Sequence, residues 1–208
     1  MKRIGRDGFT LLELLLAISL VSLITATIMG GVHLGRRSWE SGRASEAIDE
    51  IESAVRAASW IIGKSFVVTP DQVPPGGSDP PPIFLGSANK CRLVMLSEGG
   101  AQWGGLIVAE IAVDTGPDGD ELAVWTKVYR PNEGLAPARE TMRKTVILQG
   151  LAGLEISYFG TEQKGQAPAW SVGWRSTDGL PALVSLKISA KRLGRVIEVA
   201  STVAIRQQ

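Results

Sequence analysis

Residues 9–32 read FTLLELLLAISLVSLITATIMGGV, and the reading of this stretch decides the fold. It carries one charge, Glu13, and the 19 residues from Leu14 to Val32 carry none. As a helix rising about 1.5 Å per residue, that run spans roughly 28 Å, close to the thickness of a bilayer core. The segment therefore reads as a membrane-inserted helix. A carboxylate within such a helix costs about 2.5–3.5 kcal/mol at the bilayer centre and less near an end. Glu13 consequently asks for a partner.

The flanks leave the orientation of that helix open. Lys2, Arg3 and Arg6 lie before it, and Arg36, Arg37 and Arg43 lie after it. Orientation follows the side richer in Lys and Arg, and here the two sides are close to a tie. Three kinds of segment fit the apolar run: a simple signal anchor, a secretory signal cleaved after the run, and a leader cleaved before it. Cleavage after the run wants an A-x-A-like pattern of small residues, which Ala26-Thr27-Ile28 and Met29-Gly30-Gly31 match poorly.

Helical periodicity continues beyond Arg37, through SWESGRASEAIDEIESAVRAASWIIG at residues 38–63. Ala44, Ile48, Ile51, Val55, Ala58 and Ile62 recur at alternating steps of four and three, with acidic residues on the other faces. That spacing predicts an amphipathic helix with one apolar stripe, packed on a sheet and stopping at Gly63. Residues 9–63 thus read as one long helix, membrane-spanning over 9–32. Gly30-Gly31 is its weak point, since each Gly costs roughly 1 kcal/mol against Ala.

Residues 64–208 read as a β-rich head. A loop at 73–82, VPPGGSDPPP, is one that no regular element crosses. Strands are predicted over Arg92–Ser97, Leu106–Val113, Leu122–Tyr129, Thr145–Leu148, Leu154–Phe159, Leu183–Ile188 and Val196–Ile205. The second and third form a hairpin around DTGPDGDE. A helix followed by strands gives the α+β class.

Composition narrows the chemistry. The 208 residues hold 22 Lys and Arg against 21 Asp and Glu, a formal charge of +1, which leaves no whole-chain footprint for nucleic acid. One cysteine, Cys91, allows neither an intrachain disulfide framework nor a Cys-based zinc site. The one histidine, His33, lies at the end of the apolar run, so no Ser-His-Asp set is expected. Asp114, Asp118, Asp120 and Glu121 cluster on one turn without the spacing of a calcium loop, and read as a solvated hairpin turn. No cofactor, no metal and no catalytic residue is expected.

Gly8-Phe9-Thr10-Leu11-Leu12-Glu13, after a short basic leader and before an uninterrupted apolar run, resembles the processing site of type IV prepilins and type II secretion pseudopilins. The resemblance implies a leader at 1–8, cleavage between Gly8 and Phe9 by a prepilin peptidase, and N-methylation of Phe9. It also implies that Glu13 is the family's assembly carboxylate, which can pair with the Phe9 amine of a neighbouring subunit or of its own chain. Loss of the leader removes three of the basic and one of the acidic side chains. The implied topology is a single pass of the bacterial inner membrane, leader in the cytoplasm and head in the periplasm.

A looser likeness covers about Leu151 to Ser189. Leu154-Glu-Ile-Ser-Tyr-Phe159, then Trp170 and Trp174, then Leu180-Pro181 leading to Val184, Leu186 and Ile188, is similar to the J-type minor pseudopilins of type II secretion. That likeness implies a pilin-like fold and a place in the periplasmic tip of the pseudopilus. The partners implied are the I-type and K-type minor pseudopilins, with the H-type and the major pseudopilin below. The helix face of Ile48, Ile51, Val55 and Ile62 is then shared between core and partner, and Trp103, Trp125 or Trp170 would suit a binding surface if exposed. Minor type IV pilins for adhesion, motility or DNA uptake share parts of the pattern. A membrane-anchored periplasmic enzyme or binding protein is the alternative of another class.

Overall fold

The structure, a computed structural model, describes residues 10–67, 83–97, 105–130, 134–135, 137–162, 165–176 and 179–205. The loop expected at 73–82 lies outside the described residues. Among the described residues one α-helix, α1, runs over Leu11–Gly63. It passes through Gly30 and Gly31 without a break. Among the described residues ten strands follow: β1 Phe84–Ser87, β2 Lys90–Ser97, β3 Gly105–Gly116, β4 Gly119–Val128, β5 Arg143–Leu148, β6 Leu151–Gly160, β7 Ala169–Ser171, β8 Trp174–Ser176, β9 Leu183–Arg192 and β10 Arg195–Ala204. A 3-10 turn covers Arg139–Thr141. The class is α+β, a long N-terminal helix followed by an antiparallel head, consistent with a pilin-like fold.

The chain divides into two compact units, residues 1–46 and 47–208. In the first, the described residues after Thr10 form helix alone, and the apolar side chains from Leu11 to Leu34 are exposed. The second holds the last turns of α1 and all ten strands.

All seven expected strands form, and the expected hairpin is β3–β4, turning at Pro117-Asp118. They do not lie in one sheet. Six strands run in the order β5-β4-β3-β2-β1-β8 and four in the order β10-β9-β6-β7. Every described pairing is antiparallel. Tyr158 of β6 ties the sheets together, its hydroxyl donating to the Ser87 carbonyl at 3.0 Å. The Ile156 N–H donates to the Ala88 carbonyl at 2.7 Å beside it.

Alternation assigns the faces. Cys91, Leu93 and Met95 of β2, Ala109 and Ile111 of β3, and Leu122 and Val124 of β4 are buried. On β9, Val184, Leu186, Ile188 and Ala190 are buried at every second position. These residues share one core with Ile51, Ala54, Val55, Ala58 and Ile62 of α1. The buried helix stripe begins at Ala47, whereas Ala44 and Ile48 from the expected stripe are exposed. The helix leaves its last turn directly into the sheet, with Ser65 opposite Met95 and the Phe66 N–H on the Val94 carbonyl at 2.8 Å.

Candidate functional site

The residue before α1 is Thr10, and it caps the helix. Its Oγ1 accepts the Glu13 N–H at 3.3 Å, and its carbonyl accepts the Glu13 and Leu14 N–H groups at 3.1 and 3.2 Å. Thr-x-x-Glu at a helix start is the sequence of a capping box. Glu13 therefore stands in the first turn, where free N–H groups and the helix dipole favour a negative charge. Among the described residues, no cation pairs with its carboxylate. Gly8 and Phe9, the expected cleavage pair, lie outside the described residues.

Beyond Glu13 the helix is suited to hydrocarbon. It is long and apolar enough to cross a membrane, and none of its most apolar 18-residue stretch is buried against the rest of the chain. Several hydroxyls in the run are satisfied internally. Ser19 donates to the Leu16 carbonyl at 2.9 Å, Thr25 to Val21 at 2.8 Å, and Thr27 to Ile24 at 2.8 Å. In a bilayer no water would replace those bonds.

The helix face expected to be shared with a partner divides sharply. Ile51 and Ile62 are fully buried and Val55 is 4% exposed, all within the chain's own core, while Ile48 is 41% exposed. The sheets occupy Ile51, Val55 and Ile62, and of the four only Ile48 stays accessible. Of the tryptophans, Trp103 lies outside the described residues. Trp125 is buried at 4% exposure, and Trp170 is 52% exposed beside Phe159, with ring centroids 5.3 Å apart.

Trp125 is buried by charges. Cross-strand register aligns Arg92, Glu110, Trp125 and Lys144 in one row over β2, β3, β4 and β5. Glu110 is fully buried, and each of its oxygens is held by one guanidinium, Oε2 by Arg92 and Oε1 by Arg139 at 2.5 Å. Arg139 also lies over the Trp125 ring, 4.2 Å from its centroid. Arg92 Nη1 donates to the Leu135 carbonyl at 2.7 Å. The two arginines thus strap residues 134–135 and 137–142 across the sheet. A lone Glu within the apolar run Leu106–Val113 was the available sequence signal for such a cluster.

At the hairpin end of the row, the Lys144 ammonium reaches both Asp114 and Glu121, the latter at 2.5 Å. Its hydrogen bond lowers the Asp114 carboxyl below its ordinary value, and bonds to the two carboxylates raise Lys144. Among the described residues, no three of His, Cys, Asp or Glu gather as metal ligands. Cys91 faces the core, so its neighbours Lys90 and Arg92 point to the opposite side of β2. Burial, reinforced by the Glu110 charge, pushes its thiol up to about 12.

No protein-family model matches the chain, and no curated protein matches it.

Proposed function

We propose that this chain is a minor subunit of the prepilin class, processed after Gly8 and carrying its head on a membrane-embedded helix. In this reading it serves as a J-type minor pseudopilin of the type II protein secretion system. It joins I-type and K-type subunits in the periplasmic tip that starts pseudopilus assembly and supports export of folded proteins. It is a structural and interaction component and not an enzyme. The observation that carries the reading is a capped, unburied apolar helix holding one carboxylate in its first turn and continuing into the core helix of an antiparallel head. Such a helix suits a subunit that leaves the bilayer for a filament, where a neighbour's amine can replace the headgroups around Glu13.

The test is the N-terminus and intact mass of protein extracted from the inner membrane of its host. Methylated Phe9 as first residue supports the reading. A start at Met1 indicates a simple anchor, and a start near Gly30 indicates a released periplasmic protein. Either of these removes the role given to Glu13. Copurification with I-type and K-type subunits then separates the secretion role from that of a minor type IV pilin.

A further inference from the structure

The near tie in flanking charge is an anomaly for a single-pass protein, because basic residues concentrate on the untranslocated side. This chain places Arg36, Arg37 and Arg43 on the head side of its apolar run. The structure shows all three exposed on continuous helix, with Trp39 between them and 71% exposed. Arg36, Trp39 and Arg43 follow at steps of three and four and so share one face. Arg36 begins about one turn, or roughly 6 Å, past Val32, the depth at which headgroups replace hydrocarbon. Trp is the residue whose ring prefers that depth. Two acidic residues lie within one turn of these arginines: Glu46 stands three positions past Arg43, and Glu40 meets Arg36 only at 3.8 Å, with both side chains more than 70% exposed. A pair so open to solvent holds neither partner firmly.

The geometry points to a binding surface for anionic phospholipid headgroups, formed by Arg36, Arg37 and Arg43 around Trp39 on the head side of the membrane. This rests on the reading of the apolar run as a membrane span. All three basic residues are arginine, whose planar fork matches phosphate oxygens in pairs, which a lysine ammonium cannot do. The interaction would fix the depth of the helix. It would also be broken each time the subunit leaves the bilayer.

The experiment uses the full chain reconstituted in mixed bilayers of phosphatidylcholine and phosphatidylglycerol. The lipids retained on the protein are then read by native mass spectrometry. Each basic residue near an anionic surface is worth roughly fivefold, and Glu40 and Glu46 offset two of the three, so retained phosphatidylglycerol should be enriched about fivefold. The combined Arg36→Gln, Arg37→Gln and Arg43→Gln variant should lose the enrichment, and the triple Lys variant should recover only part of it. Equal retention of both lipids by the wild type, or unchanged enrichment in the Gln variant, overturns the inference. The membrane reading is judged separately, by whether the wild type and the Gln variant stay with alkali-washed membranes. Release of the wild type would sink that reading, while retention of both with no lipid preference sinks only the headgroup surface.

Discussion

The ring of Tyr158 lies against the backbone of Gly86, so closely that a Cβ on Gly86 would stand 2.3 Å from the ring carbon bearing the hydroxyl. The contact joins β6 of one sheet to β1 of the other, and the hydroxyl completes it by bonding the Ser87 carbonyl. Gly86→Ala should therefore push the sheets apart, with a loss of about 3 kcal/mol, at the upper end of overpacking penalties. Tyr158→Phe keeps the ring and removes one hydrogen bond, for about 1 kcal/mol. Chemical denaturation of the full chain in detergent, followed by tryptophan fluorescence, should rank the two in that order. A Gly86→Ala protein as stable as wild type would mean that the sheets are not held by this contact.

Glu110 has no water to fall back on. Glu110→Ala strands the Arg92 and Arg139 charges and should cost about 3–5 kcal/mol. Arg139 is itself over a third exposed, so Arg139→Ala should cost far less in global stability. Its effect should be local: faster amide exchange at Met142, whose N–H bonds the Arg139 carbonyl at 2.9 Å, and a red-shifted Trp125 emission. Unchanged exchange there would show that the strap is held by Arg92 alone.

Glu50 of α1 takes a two-pronged bond from Arg192 of β9, at 2.8 and 2.9 Å, which lowers its carboxyl below the ordinary 4.5. A lowered native value means that the stabilisation is complete above 4.5 and disappears as pH falls through that lower value. Lys144, raised above 10.5, behaves oppositely: its contribution holds below 10.5 and fades as pH climbs past the native value. Both groups are largely open to solvent, so each effect is modest. Glu50→Gln should melt below wild type at pH 7 and converge with it near pH 3, measured as Tm over that range. Parallel curves at all pH values would exclude Glu50 as the titrating group.

Gly8 and Glu13 should separate processing from assembly. A bulky residue at position 8 should leave full-length precursor in the membrane, seen as unprocessed mass. Glu13→Leu should still insert and be cleaved, yet fail to copurify with tip partners and fail to support secretion. Normal copurification of Glu13→Leu would remove the carboxylate from the assembly step.

The parts of this structure that were legible in sequence are those with a local period. The apolar run, the amphipathic continuation and the seven longer strands each repeat a pattern within ten residues or so. β7 and β8 are three residues long, too short for a period to show. β1 carries Gly86 just after the proline-rich stretch, where a strand signal is weakest. The division into two sheets depends on Tyr158 meeting residues some seventy positions away, which no local pattern encodes. The helix stripe was misplaced at its start because Ala47 and Ala54 are small, and a buried alanine leaves little trace in a hydropathy pattern. At the site itself, Glu13 was visible as one charge among apolar residues, while its cap needed the Thr10 geometry. Trp125, a binding candidate only if exposed, is covered by an arginine from outside its strand, and no pattern within the strand encodes that cover.

Cys91 is the chain's one cysteine. It is fully buried, and that burial raises its thiol well above its ordinary value. Towards maleimides and disulfide reagents the wild-type molecule is therefore silent. A cysteine introduced at an exposed position such as Ile48 or Trp170 would be the sole reactive sulfur. Neighbours in the native membrane could then be charted one position at a time by crosslinking, on a background that needs no prior removal of sulfur.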